Sequence, residues 1–343
     1  MQPMTESSLC PAPVSMLEIR RGLLSAEELR SRFTRDGYLH IRGMVGKDEL
    51  AALNAETWAL IEQARQLTPG RPVGMDDLAY EAFVGAYAKQ PLHAPGTMLQ
   101  DVYFALHRRS GELMPRAIDH IGHYSLAARA LLGHPDLLFM VACMQGSQFI
   151  TTACPMVLKY PGRGAMMPWH RDALRPKDAP EEMPTFTADI YLDATTADTS
   201  VWIVPGSHRW SVEDAQAECN RRNADLGFRT EDAIPILVEP GDLLLHHTWL
   251  IHGSDDSSTA LRRAVYFQFL PMQFAQRMFN HTYIRHSHRR IAMSIAERQG
   301  MPYTRDEEAY HFRTQVGFAD QADPDWRSLL PFRLPFWHYR KDQ

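Results

Sequence analysis

E-P-G-D-L-L-L-H-H-T-W-L-I-H-G-S, residues 239–254, is the stretch from which the rest of the chain can be read. Pro240-Gly241 is a turn signal, and the apolar run behind it has the make-up of a buried strand that ends near His252. Similar short segments rich in β-formers surround it: Phe149 to Lys159, Thr185 to Leu192, Val201 to Val204, Ile234 to Val238 and Arg263 to Leu270. Pro161-Gly162 and Pro205-Gly206 punctuate them as further turns. Strands of this length and spacing predict a sandwich or barrel. Earlier in the chain, Ser25-Ala-Glu-Glu28 is a capping box that opens a helix through about Arg35. A strand follows from Tyr38 to Gly43, and Lys47 to Arg65 carries Leu50, Leu53, Trp58 and Ile61 near helical spacing. Thr68 to Leu113 gives mixed signals and no assignment, whereas Pro115 to Leu132 and Pro271 to Gly300 read as helical. The expectation is one mainly β domain over residues 1–343 with flanking helices. Residues 1–15 form a flexible lead-in, and 271–343 a helical and irregular extension.

Composition narrows the class. With 45% hydrophobic and 22% charged residues, the chain has the balance of an ordinary globular protein. A formal charge of −5 argues against nucleic acid or an anionic membrane as the main partner. The four cysteines lie far apart and form no Cys-x-x-Cys pair, so neither a zinc finger nor a disulfide framework is expected. The N-terminus lacks a basic start followed by an apolar core, and the longest clean apolar run is Leu137 to Met144. A cytoplasmic protein with a small-molecule partner is the expectation.

Sixteen histidines make any single one uninformative, so spacing decides. In M-M-P-W-H-R-D, residues 166–172, His170 and Asp172 are one residue apart and project to the same side of an extended backbone. His252 would add a third ligand, giving two imidazoles and a carboxylate on one face of a metal. Such a set leaves octahedral positions open and suits iron(II) better than zinc, which favours four-coordinate closure. His246 and His247 compete for the same role. Arg263, eleven residues after His252, is expected to point into the strand-enclosed interior, with Arg262 facing away. A buried guanidinium needs a partner, and the far carboxylate of a dicarboxylate fits its fork. Trp169, Tyr191 and His208 are candidates to touch substrate, and Lys159 to touch cosubstrate. The basic run Arg285 to Arg290 reads first as a solvated helix face.

Together these residues resemble the phytanoyl-CoA dioxygenase family of iron(II)/2-oxoglutarate oxygenases. The motifs are D-G-Y-L-H-I-R-G, W-H-R-D, T-F-T-A-D-I-Y-L-D, I-V-P-G-S-H-R-W, P-G-D-L-L-L-H-H and H-G-S, in order from about residue 30 to 270. The resemblance implies a double-stranded β-helix, or jelly roll. It implies Fe(II), 2-oxoglutarate and O₂ as metal, cosubstrate and oxidant, with His170, Asp172 and His252 as ligands. Arg263 would bind the distal carboxylate of 2-oxoglutarate, with Ser254 assisting. The implied reaction hydroxylates an unactivated C–H bond and releases succinate and CO₂. Desaturation and ring closure are other exits. Two departures, Ser257 and Asp198-Thr199-Ser200, stand where the family often has Asn and Asn-Gly, and they loosen any inference about substrate. A secondary metabolite, an amino-acid derivative and a lipid-like acyl group all fit. Halogenating relatives lack the metal carboxylate, so Asp172 argues against that reaction. A cupin-like metal-binding protein without turnover, and a metal-dependent isomerase or hydrolase, are the competing readings.

Overall fold

The strand order was determined from a computed structural model, which describes residues 11–66, 102–106, 113–160, 166–173, 184–255, 260–304 and 307–312. The first ten residues of the expected lead-in, most of Thr68 to Leu113, the Pro161-Gly162 turn, Ser257 and residues 313–343 lie outside them. Thirteen strands occur among the described residues: β1 (Val14–Ser15), β2 (Tyr38–Arg42), β3 (Val102–Leu106), β4 (Leu113–Ile118), β5 (Phe149–Ala153), β6 (Met156–Lys159), β7 (Met167–His170), β8 (Phe186–Tyr191), β9 (Val201–Ile203), β10 (Ile234–Ile236), β11 (Leu243–His247), β12 (His252–Ser254) and β13 (Arg262–Pro271). The helices are α1 (Met16–Arg20), α2 (Ala26–Asp36), α3 (Lys47–Gln66), α4 (Leu126–Leu132), α5 (Pro135–Gln145), α6 (Val212–Arg221), α7 (Met272–Met278) and α8 (His281–Gln299).

The strands form two sheets, one in the order β1-β2-β11-β8-β13-β6-β4-β3 with β5 also on β13, the other β10-β9-β12-β7. Their facing sides interdigitate through Tyr38, Tyr191, Leu244 and Ala264 of the larger sheet and Val201, Ile203, Ile234 and Ile236 of the smaller one. This is the double-stranded β-helix arrangement. The opposite face of the larger sheet presents Ile190, Leu243, Val265, Phe267 and Phe269 to Phe33 of α2, Leu53 of α3 and Leu131 of α4. Side chains alternate along a strand. On β13, therefore, Arg262, Ala264 and Tyr266 point between the sheets, while Arg263, Val265 and Phe267 point toward the helices.

Several local signals became structure directly. Ser25 caps α2 with the reciprocal bonds of a capping box, Ser25 Oγ to the Glu28 amide and Glu28 to the Ser25 amide. Gly37 ends that helix in the left-handed region at φ 80°, and a Cβ there would sit 2.4 Å from His208 Nδ1. Other boundaries moved. The expected helix from Pro115 is strand β4 through Ile118, a 3₁₀ turn, and only then α4. Leu113-Met-Pro-Arg-Ala-Ile is a short apolar run whose spacing does not separate helix from strand, and pairing with β3 and β6 decides it. Phe149 to Lys159 splits at Cys154-Pro155 into β5 and β6, and Pro271 to Gly300 splits into α7 and α8. The stretch Leu126–Gln145 has the length and apolarity of a membrane span, but it is 67% buried inside the protein and is divided by the His134 cap of α5.

Candidate metal centre

His170 ends β7 and His252 begins β12, and the two residues are paired across these antiparallel strands. Their rings lie 4.2 Å apart between centroids. Asp172 follows two residues after His170 and places Oδ1 3.5 Å from His170 Nε2 and 3.4 Å from His252 Nε2. One ligand atom from each residue falls within 4.8 Å of the others, and this is the one such set among the described residues. The side chains are 26%, 20% and 9% exposed for His170, Asp172 and His252, so the cluster is open on one side.

The second ring nitrogens fix the tautomers. His170 Nδ1 donates to Pro168 O at 2.7 Å and His252 Nδ1 to Leu250 O at 2.9 Å. A carbonyl only accepts, so each Nδ1 carries the proton and each Nε2 keeps its lone pair for a cation. Burial and the neighbouring His170 lower the pKa of His252, which favours the neutral ligand form. Burial alone would raise that of Asp172. The nearby His252 and the close approach of the His170 and His246 rings outweigh it and hold Asp172 well below the usual carboxylate range. Two neutral imidazoles and one ionised carboxylate are a donor set that fits a divalent metal.

Gly253, between His252 and Ser254, must be a glycine here. A Cβ would meet Phe228 at 2.8 Å and the Met167 carbonyl at 2.9 Å. Its lack of a side chain lets β12 lie close on β7, which brings the two histidines together.

The arginine expectation reverses. Arg263 faces the helices, where Nε and a terminal nitrogen donate to the two oxygens of Asp193 at 2.9 and 2.7 Å. The same guanidinium bonds Asn54 at 2.6 Å and lies over the Trp58 ring of α3. Arg262 is the one between the sheets, 4% exposed, with Nη1 donating to Thr199 O at 3.0 Å. Its Nε and the hydroxyl of Tyr191 are buried and make no hydrogen bond within the described protein. The two arginines are adjacent on one strand and so face opposite sides, and packing of the two sheets and the helices decides which one is inside. The row Ala264, Tyr266, Gln268 against Val265, Phe267, Phe269 carried the signal, because the wholly apolar row had to face the helices.

The other candidates scatter. Ser254 is buried near His252. Lys159 is opposite Arg262 in register, 2% exposed, with Nζ donating to Asp255 O. Tyr191 lies inside, beside the Arg262 row. Trp169 points away from the triad into a separate cluster, stacked on Phe228 and bonded to Gly227 O at 2.8 Å. His208 also points elsewhere, donating Nε2 to Thr34 O of α2 at 3.0 Å. His247 faces α2 and stacks on Phe33. His246 is inside, with Nε2 3.2 Å from Asp172 Oδ2 and Nδ1 3.1 Å from Asp189 Oδ2. Burial opposes its protonation, but Asp189 and Asp172 overcome that and raise its pKa to about 10. The basic run lies on α8 with Ser287, His288 and Arg290 buried, so it is not simply a solvated face.

Comparison with known proteins bears on the same residues. No curated protein matches the sequence. Among solved structures, EvdMO1 is 23% identical over 71% of this chain and 50% of its own, with a TM-score of 0.51, so this chain spans about half of that protein's length. AviO1 from Streptomyces viridochromogenes Tue57 is 22% identical over 72% of this chain and 95% of its own, with a TM-score of 0.52. Both likenesses are of fold. The profile of phytanoyl-CoA dioxygenase (PhyH) matches residues 33–265, a span that runs from α2 through the triad into β13. The chain therefore belongs to the phytanoyl-CoA dioxygenase family of non-haem iron, 2-oxoglutarate-dependent oxygenases.

Proposed function

We propose that this protein oxidises a C–H bond of a small molecule, most simply by hydroxylation, using Fe(II), 2-oxoglutarate and O₂ in the cytoplasm. One observation carries the reading: two bare Nε2 atoms and Asp172 Oδ1 converge on one point with their tautomers fixed. His170, Asp172 and His252 would hold the iron, which supplies the oxygen activation that no side chain can. Three ligands on one face leave the rest of the coordination sphere for cosubstrate and O₂.

Arg262 takes the role first expected of Arg263. A guanidinium between the sheets, with the Tyr191 hydroxyl nearby, suits the distal carboxylate of a dicarboxylate whose keto-acid end lies at the triad. Lys159, paired with Arg262 across the sheet, adds positive charge at that end. Ser254 lies beside His252 and would steady the same cosubstrate. Burial of this slot keeps water from competing for the carboxylate. Trp169 and His208 have no substrate role in this reading, and the open side of the triad receives the substrate.

The test is cosubstrate turnover. Wild-type protein with Fe(II), 2-oxoglutarate and a panel of small molecules should release succinate in step with O₂ uptake, and Asp172→Ala should fall to background. Equal succinate release from Asp172→Ala would reject the site. Metal binding without any 2-oxoglutarate consumption would favour a metal-binding protein without turnover.

A further inference from the structure

Asp172 has a second oxygen, and the fold provides holders for it. Oδ1 lies toward His170 and His252. Oδ2 accepts from Thr187 Oγ1 at 3.1 Å and lies 3.2 Å from His246 Nε2. The other ring nitrogen of His246 lies 3.1 Å from Asp189 Oδ2. Thr187 and Asp189 sit on β8 at alternate positions, so both point between the sheets, and His246 of β11 pairs directly with Thr187. His246 is 3% exposed and Asp189 is fully buried. A buried carboxylate whose one ion-pair contact among the described residues is His246 is costly to keep and calls for a reason.

We infer that Asp189 and His246 are positioning residues that make Asp172 a one-oxygen ligand, a role that rests on the triad being the metal site. A free carboxylate can chelate through both oxygens. With Oδ2 committed to Thr187 and His246, only Oδ1 turns to the metal, and the position a second oxygen would take stays available to cosubstrate. His246 Nε2 donates to Asp172 Oδ2, and its other ring nitrogen lies 3.1 Å from Asp189 Oδ2 without the alignment of a hydrogen bond. Asp189 thereby backs the His246 ring from the side away from Asp172, and His246 in turn holds the outer oxygen of the ligand. His246 is not itself a fourth ligand in this arrangement. It stands on the Oδ2 side, outside the set of atoms that converge at Oδ1.

The experiment measures metal binding without turnover. Anaerobic titration with Co(II) gives affinity and, from the intensity of its visible bands, coordination number. Wild type should bind one Co(II), lost in Asp172→Ala; absence of binding in wild type rejects the metal site itself. Given binding, Asp189→Asn and His246→Leu should each weaken it by about 10–100-fold. The Co(II) band intensity should shift as Oδ2 becomes free to chelate, while the metal-free melting temperature stays within a few degrees. The double variant should be no weaker than His246→Leu alone, because the two residues act in series. Unchanged affinity and spectra in both variants overturn the inference. Nitrogen-15 NMR of Zn(II)-loaded wild type decides the matter should either variant misfold. Neither ring nitrogen of His246 should be coordinated, and a metal-bound His246 nitrogen overturns the inference.

Discussion

His208 illustrates how far a residue's chemistry depends on what covers it. Its ring is clamped between Gly37, the Thr34 carbonyl and His247. Burial, against a weaker opposing hydrogen bond to Thr34, pushes its pKa down to about 4, and burial does the same to His288. Both are neutral in the native state, whereas the unfolded chain takes up these protons near the ordinary value of 6.5. Between those limits the unfolded state binds more protons, so stability falls as pH drops from about 6.5 toward 4. Urea midpoints measured from pH 7.5 to 4.5 should decline across that window. His208→Gln, which keeps a donor for Thr34, should flatten the decline; an unaltered slope would remove His208 as a cause. At this scale the sequence spoke unevenly. His170, Asp172 and His252 were legible from their spacing and order together with the neighbouring motifs, although Asp172 lies just past the end of β7 and not on the strand. Arg262 could be told from Arg263 only by comparing the two rows of β13, since adjacent residues face opposite sides and the wholly apolar row belongs against the helices. His246 was visible only as a rival ligand, because its partners Asp172 and Asp189 meet it from other segments.

At the scale of elements, the approach of β12 to β7 is the step on which the triad depends. Gly253→Ala would drive a methyl into Phe228 and the Met167 carbonyl. It should cost about 1–3 kcal/mol of stability and also weaken divalent metal binding, because relief requires the strand that carries His252 to move. Gly46→Ala, where nothing lies within 4 Å of the new carbon, is the control for calorimetry and metal titration. Loss of stability with metal affinity intact would separate this glycine from the site. The strands from β8 to β13 were legible because turn signals bound them and their apolar content is high. The segment before α4 was not, since a proline-containing apolar run fits helix and strand equally until β3 and β6 choose. The sheet order itself depends on pairings between residues far apart in sequence, such as Leu243 with both Ile41 and Ile190, which no local pattern specifies.

On the scale of the whole molecule, the helices outside the family match are tied to the front of the chain. Arg298 of α8 donates to both oxygens of Glu49 of α3 at 2.5 and 3.0 Å, and to Glu307 at 2.6 Å. Arg298 and Glu49 are 4% and 3% exposed. Arg298→Leu strands the Glu49 charge and should cost about 3–5 kcal/mol, seen as a lower urea midpoint. A change within experimental error would mean that α8 does not brace α3. That bracing matters to the site because α3 also supplies Asn54 and Trp58, which hold Arg263 on the helix side of β13 and so leave Arg262 facing the interior. The central claim is that the triad and Arg262 grip the two ends of one dicarboxylate. The anaerobic Fe(II)–2-oxoglutarate charge-transfer absorption, titrated with 2-oxoglutarate, measures that grip directly. Wild type should saturate, and Arg262→Ala should raise Kd by about 10–100-fold, the worth of lost hydrogen bonds to a charged group. Arg263→Ala should stay within about two-fold of wild type, because hydrogen bonds on the helix side add nothing to that worth. A weakened Arg263→Ala beside an unaffected Arg262→Ala would contradict the account.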